Sequence, residues 1–245
     1  MLELAAARGA DFAWWDLEHT ASDIKDIYQA TRASDAADLP LLLRLGVNDD
    51  FDIASALDSG AIGVIVSHVS SAEDAERIVA AARFAPDGQR SICPFMRAGR
   101  WVGPAGWNQY WREANDQTVV GVIIENAEGL KNLEEIIAVP GIDLVMIGGG
   151  DLSQSLGLAT SAGQLHPEIE RAKLDTLRHC AKYGKASLHL LVPGDERVDI
   201  EAFLRWHEAG FRIFTWPDVA LFATILEDKF SQARSAVGQP AASHR

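Results

Sequence analysis

Apolar runs of strand length alternate along the chain with longer amphipathic stretches of helical period, and from residue 12 onward the rhythm is nearly unbroken. Strands are predicted at 12–18, 40–45, 63–69, 119–125, 144–148, 185–192 and 211–216, with helices at 22–31, 72–83, 128–138, 167–182, 200–209 and 220–233. Such alternation is the signature of repeated βα units around a parallel sheet. The punctuation agrees: Asp58-Ser59-Gly60, Pro140-Gly141 and Ala209-Gly210 stand where C-terminal glycine caps would close helices before strands. The fold class is therefore α/β, a (β/α)₈ barrel of the TIM type with its first strand missing, because residues 1–8 read as a helix ending at Gly9 and only seven strands are found. Another segment or a partner subunit would have to fill the gap. One stretch breaks the rhythm: 86–115 is too long for an ordinary βα connection and carries Trp101, Trp107, Tyr110 and Trp111, as a lid, an interface loop or a packed surface excursion would.

Composition narrows this further. With 245 residues and 48% hydrophobic positions the chain can bury one substantial core, so residues 1–234 are expected to form a single domain and the small, polar 235–245 a flexible tail. Its 22 basic against 35 acidic residues give a net charge of −13, which disfavours nucleic acid and anionic membrane surfaces as partners. Cys93 and Cys180 are far apart and form no CxxC pattern, so a disulfide framework or thiolate zinc site is not expected and a reducing cytoplasm fits. No apolar stretch reaches the ~20 residues of a membrane span, and the first ten residues do not read as an export signal.

In an α/β barrel the carboxyl ends of all strands open onto one mouth, so polar residues that end apolar strands converge there. Asp16, Glu18 and His19 end the first strand, Arg44 the second, Glu125 a later one, and Gly148-Gly149-Gly150-Asp151 the next. Glu125 and Asp151 lie on consecutive strands, which run ~4.8 Å apart, close enough for two carboxylates to share one cation. Oxygen ligands with room left for water and substrate suit Mg²⁺ or Mn²⁺. Asp151 is equally a helix N-cap before Leu152-Ser153-Gln154, whereas Glu125 directly after Val122-Ile123-Ile124 is harder to explain as packing. Asp16 and His19 can form a carboxylate–imidazole pair with the ring as general base, although that spacing is weak evidence. Arg44, ending a run of aliphatics, needs a carboxylate or an anionic ligand, and Glu18 or Asp16 would serve as the former. The three glycines leave backbone N–H groups open to a substrate carboxylate, or simply make a tight turn.

At these residues the chain resembles the HpcH/HpaI aldolase family, metal-dependent class II pyruvate aldolases typified by 4-hydroxy-2-oxo-heptane-1,7-dioate aldolase. Trp15-Asp16-Leu17-Glu18-His19, Leu43-Arg44, Leu57-Asp58-Ser59-Gly60-Ala61 and Pro86-Asp87-Gly88-Gln89-Arg90 carry the resemblance, together with the stretch from Ile124-Glu125-Asn126-Ala127-Glu128-Gly129 to Gly148-Gly149-Gly150-Asp151-Leu152-Ser153. The resemblance implies that Glu125 and Asp151 are metal ligands, for Mg²⁺ or Mn²⁺ with Co²⁺ or Zn²⁺ admissible. It implies that His19 paired with Asp16 moves protons, that Arg44 stabilises an enolate oxygen, and that the amides around Gly149, Gly150 and Asp151 hold a pyruvate carboxylate. Asp58 would belong to the aldehyde side of a neighbouring subunit's site, in a hexamer of dimers that exchange the helix at 220–233. The expected reaction is cleavage or formation of a 4-hydroxy-2-oxo acid through a pyruvate enolate, giving pyruvate and an aldehyde.

The sequence departs from the family pattern in four places. The first strand has no counterpart, Gly149 replaces a common proline, Ile123 stands where some members place Gln, and Ser67-His68 occupies a strand end where Pro is frequent. Rival readings are an oxaloacetate decarboxylase or macrophomate-synthase-like enzyme making the same enolate, and a catalytically impaired assembly subunit. A thioester-cleaving citrate-lyase-type enzyme is disfavoured because no basic patch for CoA phosphates is evident. Lys185, at the start of its strand, is on the wrong side of the barrel for a Schiff base. His68, Trp101, Trp107, His189 and Trp216 are candidates for shaping the aldehyde side, and equally for packing.

Overall fold

The computed structural model describes residues 1–46, 50–158, 166–191 and 200–238. Seven strands form one sheet in the order of the chain: β1 (Ala13–Asp16), β2 (Leu41–Leu45), β3 (Gly63–Val66), β4 (Val119–Ile124), β5 (Leu144–Ile147), β6 (Ala186–Leu190) and β7 (Ile213–Thr215). Every neighbouring pair is parallel. The sheet curls into a nearly closed barrel that is one strand short of eight, β1 and β7 being its outer members.

Residue parity decides which side chains fill the barrel. Trp14, Leu42, Ile65, Ile123, Leu144, Met146, Leu188 and Ile213 pack together as the interior. Their alternates, among them Trp15, Leu43, Val64, Val122 and Val145, face the helices in a second and larger apolar layer. Counting on in steps of two from the interior set, Asp16, Arg44, Ser67, Glu125 and Gly148 are also interior residues, at the carboxyl ends of their strands. Hydrogen bonds of the sheet run on past the strand ends: Leu17 donates to Arg44, Ser67 to Leu45, and Gly148 to Ile124. The sheet therefore fixes the backbone from which the polar side chains project.

The helices are α1 (Leu2–Ala7), α2 (Ile24–Ala36), α3 (Asp50–Asp58), α4 (Ala72–Ala82), α5 (Gly103–Gln117), α6 (Ala127–Lys131), α7 (Leu133–Ala138), α8 (Gly149–Ser155), α9 (Pro167–Tyr183), α10 (Ile200–Ala209) and α11 (Asp218–Ala236). Local chemistry sets their starts. Asp23 and Ser71 each close a capping box, with Asp26 and Asp74 returning the bond to the cap's own N–H. The helix expected at 128–138 is divided at Asn132 into α6 and α7.

The expectation of an irregular segment over 86–115 is corrected, since α5 occupies its second half. Trp107, Tyr110, Trp111 and Ala114 recur at helical spacing and pack on Phe84 and Met96, and Pro104 lies in the first turn where its missing N–H costs nothing. Trp107 is thereby a core residue. His189 is another: with Leu188 and Leu190 facing the barrel interior, it faces outward against Trp206, Phe211 and Phe214. Burial, with Lys173 and Arg205 adding to it, pushes its imidazole down to about 2. Trp216 stacks on Phe203, Trp101 is exposed, and Lys185 reaches the Val139 carbonyl away from the mouth. Residue 192 of the sixth predicted strand and residues 239–245 of the expected tail lie outside the described residues, while α11 runs to Ala236. No helix of the described residues is long and apolar enough to cross a membrane.

Candidate active site

The barrel mouth on the β1–β4 side is built around one guanidinium. Arg44, the last but one residue of β2, stands directly opposite Asp16, its partner in the register of β1 and β2. Its Nη1 lies 3.4 Å from Asp16 Oδ2, its Nη2 is paired with Glu18 and lies 3.6 Å from Glu125 Oε2, and its Nε donates to Ser67 Oγ at 2.8 Å. Ser67 in turn donates to Glu18 Oε2 at 2.7 Å. The competing partners named for Arg44 from sequence, Glu18 and Asp16, are both engaged. Glu125 is the deepest member: it is 2% exposed, and burial raises its carboxyl group above the usual range although Arg44 and His68 oppose the shift.

His68 sits between two acids. Its Nε2 is 3.1 Å from Glu18 Oε1 and its Nδ1 is 3.4 Å from Glu125 Oε1, while its backbone N–H donates to the same Glu125 oxygen at 2.9 Å. Parity alone would send a residue after the interior Ser67 outward. A φ of +57° turns His68 back toward the mouth, and histidine is among the few residue types that enter this left-handed region with any frequency. Among the described residues, Glu18, His68 and Glu125 form a group whose ligand atoms all lie within 4.8 Å of one another.

Asp151 stands outside that group. The register pairs Ile124 with Ile147, so Glu125 is level with Gly148, and Asp151 is three residues further on in the first turn of α8. Gly148 is required by close approach: a Cβ there would lie 2.3 Å from Glu125 Oε2. Gly150 faces open space, and no side chain caps the start of α8.

The Asp16–His19 pair takes another form in this structure. Asp16 Oδ1 accepts the backbone N–H of Glu18 at 2.9 Å and of His19 at 3.3 Å, shaping the turn, and the exposed His19 ring lies 3.6 Å from Glu18 Oε2. A short carboxylate side chain two residues from a free N–H satisfies it before it can reach a ring that points to solvent. Asp58 is remote from this cluster within one chain. It ends α3 ahead of β3, at the amino ends of the strands, where the buried Arg90 donates to it at 2.6 Å.

Glu18, named from sequence as a partner for Arg44, His68, named there as a candidate for the aldehyde side, and Ser67 are the members of this constellation to which sequence reasoning gave no catalytic or ligand role. The period of two running Trp14, Asp16, Glu18 could have found Glu18, and Ile65 to Ser67 the serine. No sequence signal announces the positive φ that brings in His68.

The donor set contains carboxylate oxygens and imidazole nitrogen and no thiolate, with one oxygen donor almost fully buried, and it fits a divalent cation of hard or borderline character. The arrangement places a guanidinium, a hydrogen-bond donor of fixed positive charge, beside a buried acid on the inner wall of the barrel mouth, as chemistry that stabilises a developing oxyanion requires.

The model of the HpcH/HpaI aldolase/citrate lyase family matches residues 1–213. The chain is 34% identical over 242 residues to the 2-keto-3-deoxy-L-rhamnonate aldolase of Klebsiella pneumoniae subsp. pneumoniae, covering 98% of this chain and 86% of that one. It is 35% identical over 185 residues to the hydroxypyruvate/pyruvate aldolase of Roseobacter denitrificans, covering 76% and 71%. Among solved structures, the HpcH/HpaI aldolase of Desulfitobacterium hafniense superposes with a TM-score of 0.85 at 25% identity, over 95% of this chain and 87% of that one. The chain belongs to the HpcH/HpaI aldolase/citrate lyase family. It is a class II aldolase, a metal-dependent carbon–carbon lyase.

Proposed function

We propose that this enzyme cleaves and forms 4-hydroxy-2-oxo acids, with pyruvate and an aldehyde on the other side of the equilibrium, and that the residues at the mouth divide the work as the family resemblance implies. The observation that carries the reading is the excess of acid around Arg44: Asp16, Glu18 and Glu125 all approach one guanidinium on the interior wall. A buried site with that balance calls for a further positive charge.

Glu125 and Asp151 would hold the divalent cation, Mg²⁺ or Mn²⁺ being the first candidates. When bound, the cation supplies Lewis-acid polarisation of the substrate's C1 carboxylate and C2 oxo group. In cleavage, the C4 hydroxyl loses its proton and the C3–C4 bond breaks. The electron pair of that bond passes into the C2 oxo group, leaving aldehyde and pyruvate enolate, and protonation at C3 completes pyruvate. Arg44, fixed on three sides by Glu18, Asp16 and Ser67, is preorganised to face the negative charge developing on the C2 oxygen. The open amides at the start of α8, around Gly149, Gly150 and Asp151, orient the substrate carboxylate, supported by the uncapped helix start and the free space beside Gly150. His19, exposed at the rim, exchanges the proton of the C4 hydroxyl, and Asp16 holds the turn that carries it.

Asp58 acts on the aldehyde side of a neighbouring subunit, in keeping with its distance from its own chain's mouth. Assembly with further copies of the chain is supported by α11, a 19-residue helix with no buried residue that exposes Val219, Phe222, Ile225 and Phe230. The two unpaired cysteines fit a reducing cytoplasm.

The test is pyruvate release from a panel of 4-hydroxy-2-oxo acids, abolished by EDTA and restored by Mn²⁺ or Mg²⁺. Faster CO₂ release from oxaloacetate would move the reading to a decarboxylase that forms the same enolate. The His19→Ala variant should keep its metal and lose turnover; full activity in that variant would remove His19 from the mechanism.

A further inference from the structure

Glu125 is the most buried acid of the mouth, and among the described residues the donor that bonds its carboxylate is a main-chain group, the N–H of His68 at 2.9 Å. An amide is aimed by its backbone, and this backbone is in the left-handed region, with a φ of +57°. Such a conformation at a residue other than glycine persists only where the surroundings hold it. Two segments of the chain hold it here. Ser70 Oγ donates to the His68 carbonyl at 3.2 Å, and the Val69 N–H donates to the Ile123 carbonyl, also at 3.2 Å. Asn126 Nδ2 donates to the Ser70 hydroxyl oxygen at 2.9 Å, and Asn132 Nδ2 to the Ser70 carbonyl at 2.8 Å. Asn126 is itself oriented: its Oδ1 caps α6 by accepting the Gly129 N–H at 2.8 Å, which turns Nδ2 toward Ser70. The two segments also touch directly, since a Cβ at Gly129 would lie 2.5 Å from the Val69 carbonyl oxygen.

These bonds close a circuit. It leaves Glu125 along the chain to Asn126, crosses to the Ser70 hydroxyl, passes through the two peptide groups that flank His68, and returns to the Glu125 carboxylate. We propose that Asn126 and Ser70 are positioning residues, which hold the amide that fixes the Glu125 carboxylate in the direction in which it takes up the divalent cation. This rests on the reading of Glu125 as a metal ligand and adds the groups that preorganise it. A carboxylate free to rotate about its side-chain bonds gives up that freedom when it binds a cation, whereas one already held by outer partners has less to lose. Partners of this kind contribute about 10- to 100-fold to metal affinity. Capping of α6 needs only the Oδ1 of Asn126, so the two duties of its amide can be separated by substitution.

The experiment uses the whole chain, stripped of metal and titrated with Mn²⁺, the free ion being read by its EPR signal. The thermal midpoint of each metal-free chain is measured alongside. Asn126→Ser keeps a capping oxygen for α6 but has no amide to reach Ser70, and Ser70→Ala cuts the same circuit from the other side. Each should weaken Mn²⁺ binding by about tenfold, the lower end of what outer partners contribute. The thermal midpoint of each should stay within about 4 °C of the unaltered chain, as the loss of one partly exposed hydrogen bond implies. The double variant should bind within about twofold of either single one, because both remove one connection. Ser70→Thr, which keeps the hydroxyl, should bind as the unaltered chain does. Unchanged affinity in both single variants, losses that add in the double variant, or a loss that Ser70→Thr shares overturns the positioning role and leaves the proposed function standing. If the unaltered chain shows no saturable Mn²⁺ binding, or Glu125→Gln binds the ion equally well, the reading of Glu125 as a ligand fails and the positioning role with it.

Discussion

The two ends of the barrel each bury arginine among acids, but in different proportions. At the amino ends of the strands, Arg90 faces Asp58 one to one, and Arg83 divides its donors among the carbonyls of Asn115, Thr118 and Gly141 and the carboxylate of Asp143, which also accepts the Val120 N–H. At the carboxyl ends, three acids crowd one guanidinium. The first arrangement is close to balanced, and its Arg83 contacts join α5, β4 and β5 into one unit. The second carries surplus negative charge in a partly buried place, which costs stability and is retained where a ligand completes it. Arginine thus serves the frame at one end and chemistry at the other, and the difference lies in the count of charges around it.

The comparison can be broken most directly at Glu125. The Glu125→Gln variant should lower aldol cleavage at least about 1,000-fold, about 4 kcal/mol of transition-state stabilisation, as read by pyruvate release. Its stability should not fall. Because burial raises the carboxyl group of Glu125 in the folded chain, the folded state holds its proton to higher pH than the unfolded state does. Stability therefore declines as pH rises through that interval, and the uncharged Gln escapes the penalty. A thermal midpoint clearly below that of the unaltered protein at pH 7 would show that Glu125 belongs to the frame.

Arg83→Met should show the opposite pattern. It leaves three carbonyls and Asp143 without their donor, and about 3 kcal/mol of stability should be lost in urea unfolding, with turnover per folded molecule nearly unchanged. Arg44→Lys should reduce cleavage about 100-fold, because an ammonium cannot reproduce a guanidinium held at Nε and both terminal nitrogens, and stability should change little. His189 lies outside both networks and sharpens the contrast as a control. Its depressed imidazole stays neutral in the folded chain, so stability is fully present above the unfolded value near 6.5 and is lost as pH falls toward about 2. His189→Phe should leave activity at pH 7 unaltered and flatten the acid limb, where the unaltered protein loses about 1.4 kcal/mol for each pH unit below about 6.

Much of this frame is legible in the pattern of the chain. Each of the seven strands was marked by an apolar run, and Asp16, Arg44 and Glu125 by a polar residue breaking that run at its end, because a barrel buries both faces of its strands and admits charge only at their ends. The alternation of Trp14, Asp16 and Glu18 also encoded the inward face of Glu18. The segment from 103 to 117 carried its helix in the spacing of Trp107, Tyr110, Trp111 and Ala114, obscured by neighbouring glycines and Pro104.

Other features belong to the tertiary structure alone. That His189 meets Trp206 instead of the mouth depends on which face of β6 the barrel encloses, and sequence periodicity is the same for either face. That Asp16 bonds backbone N–H groups and not the His19 ring depends on a turn whose geometry the neighbouring strands impose. His68 depends on a single backbone angle, stabilised by a carboxylate 57 positions further along the chain. Composition and periodicity report average burial, element by element, and so they determined the barrel and the level at which its chemistry sits. Which charges meet, and in what number, is decided by pairwise distances of a few ångströms across strands, and only the folded chain sets those.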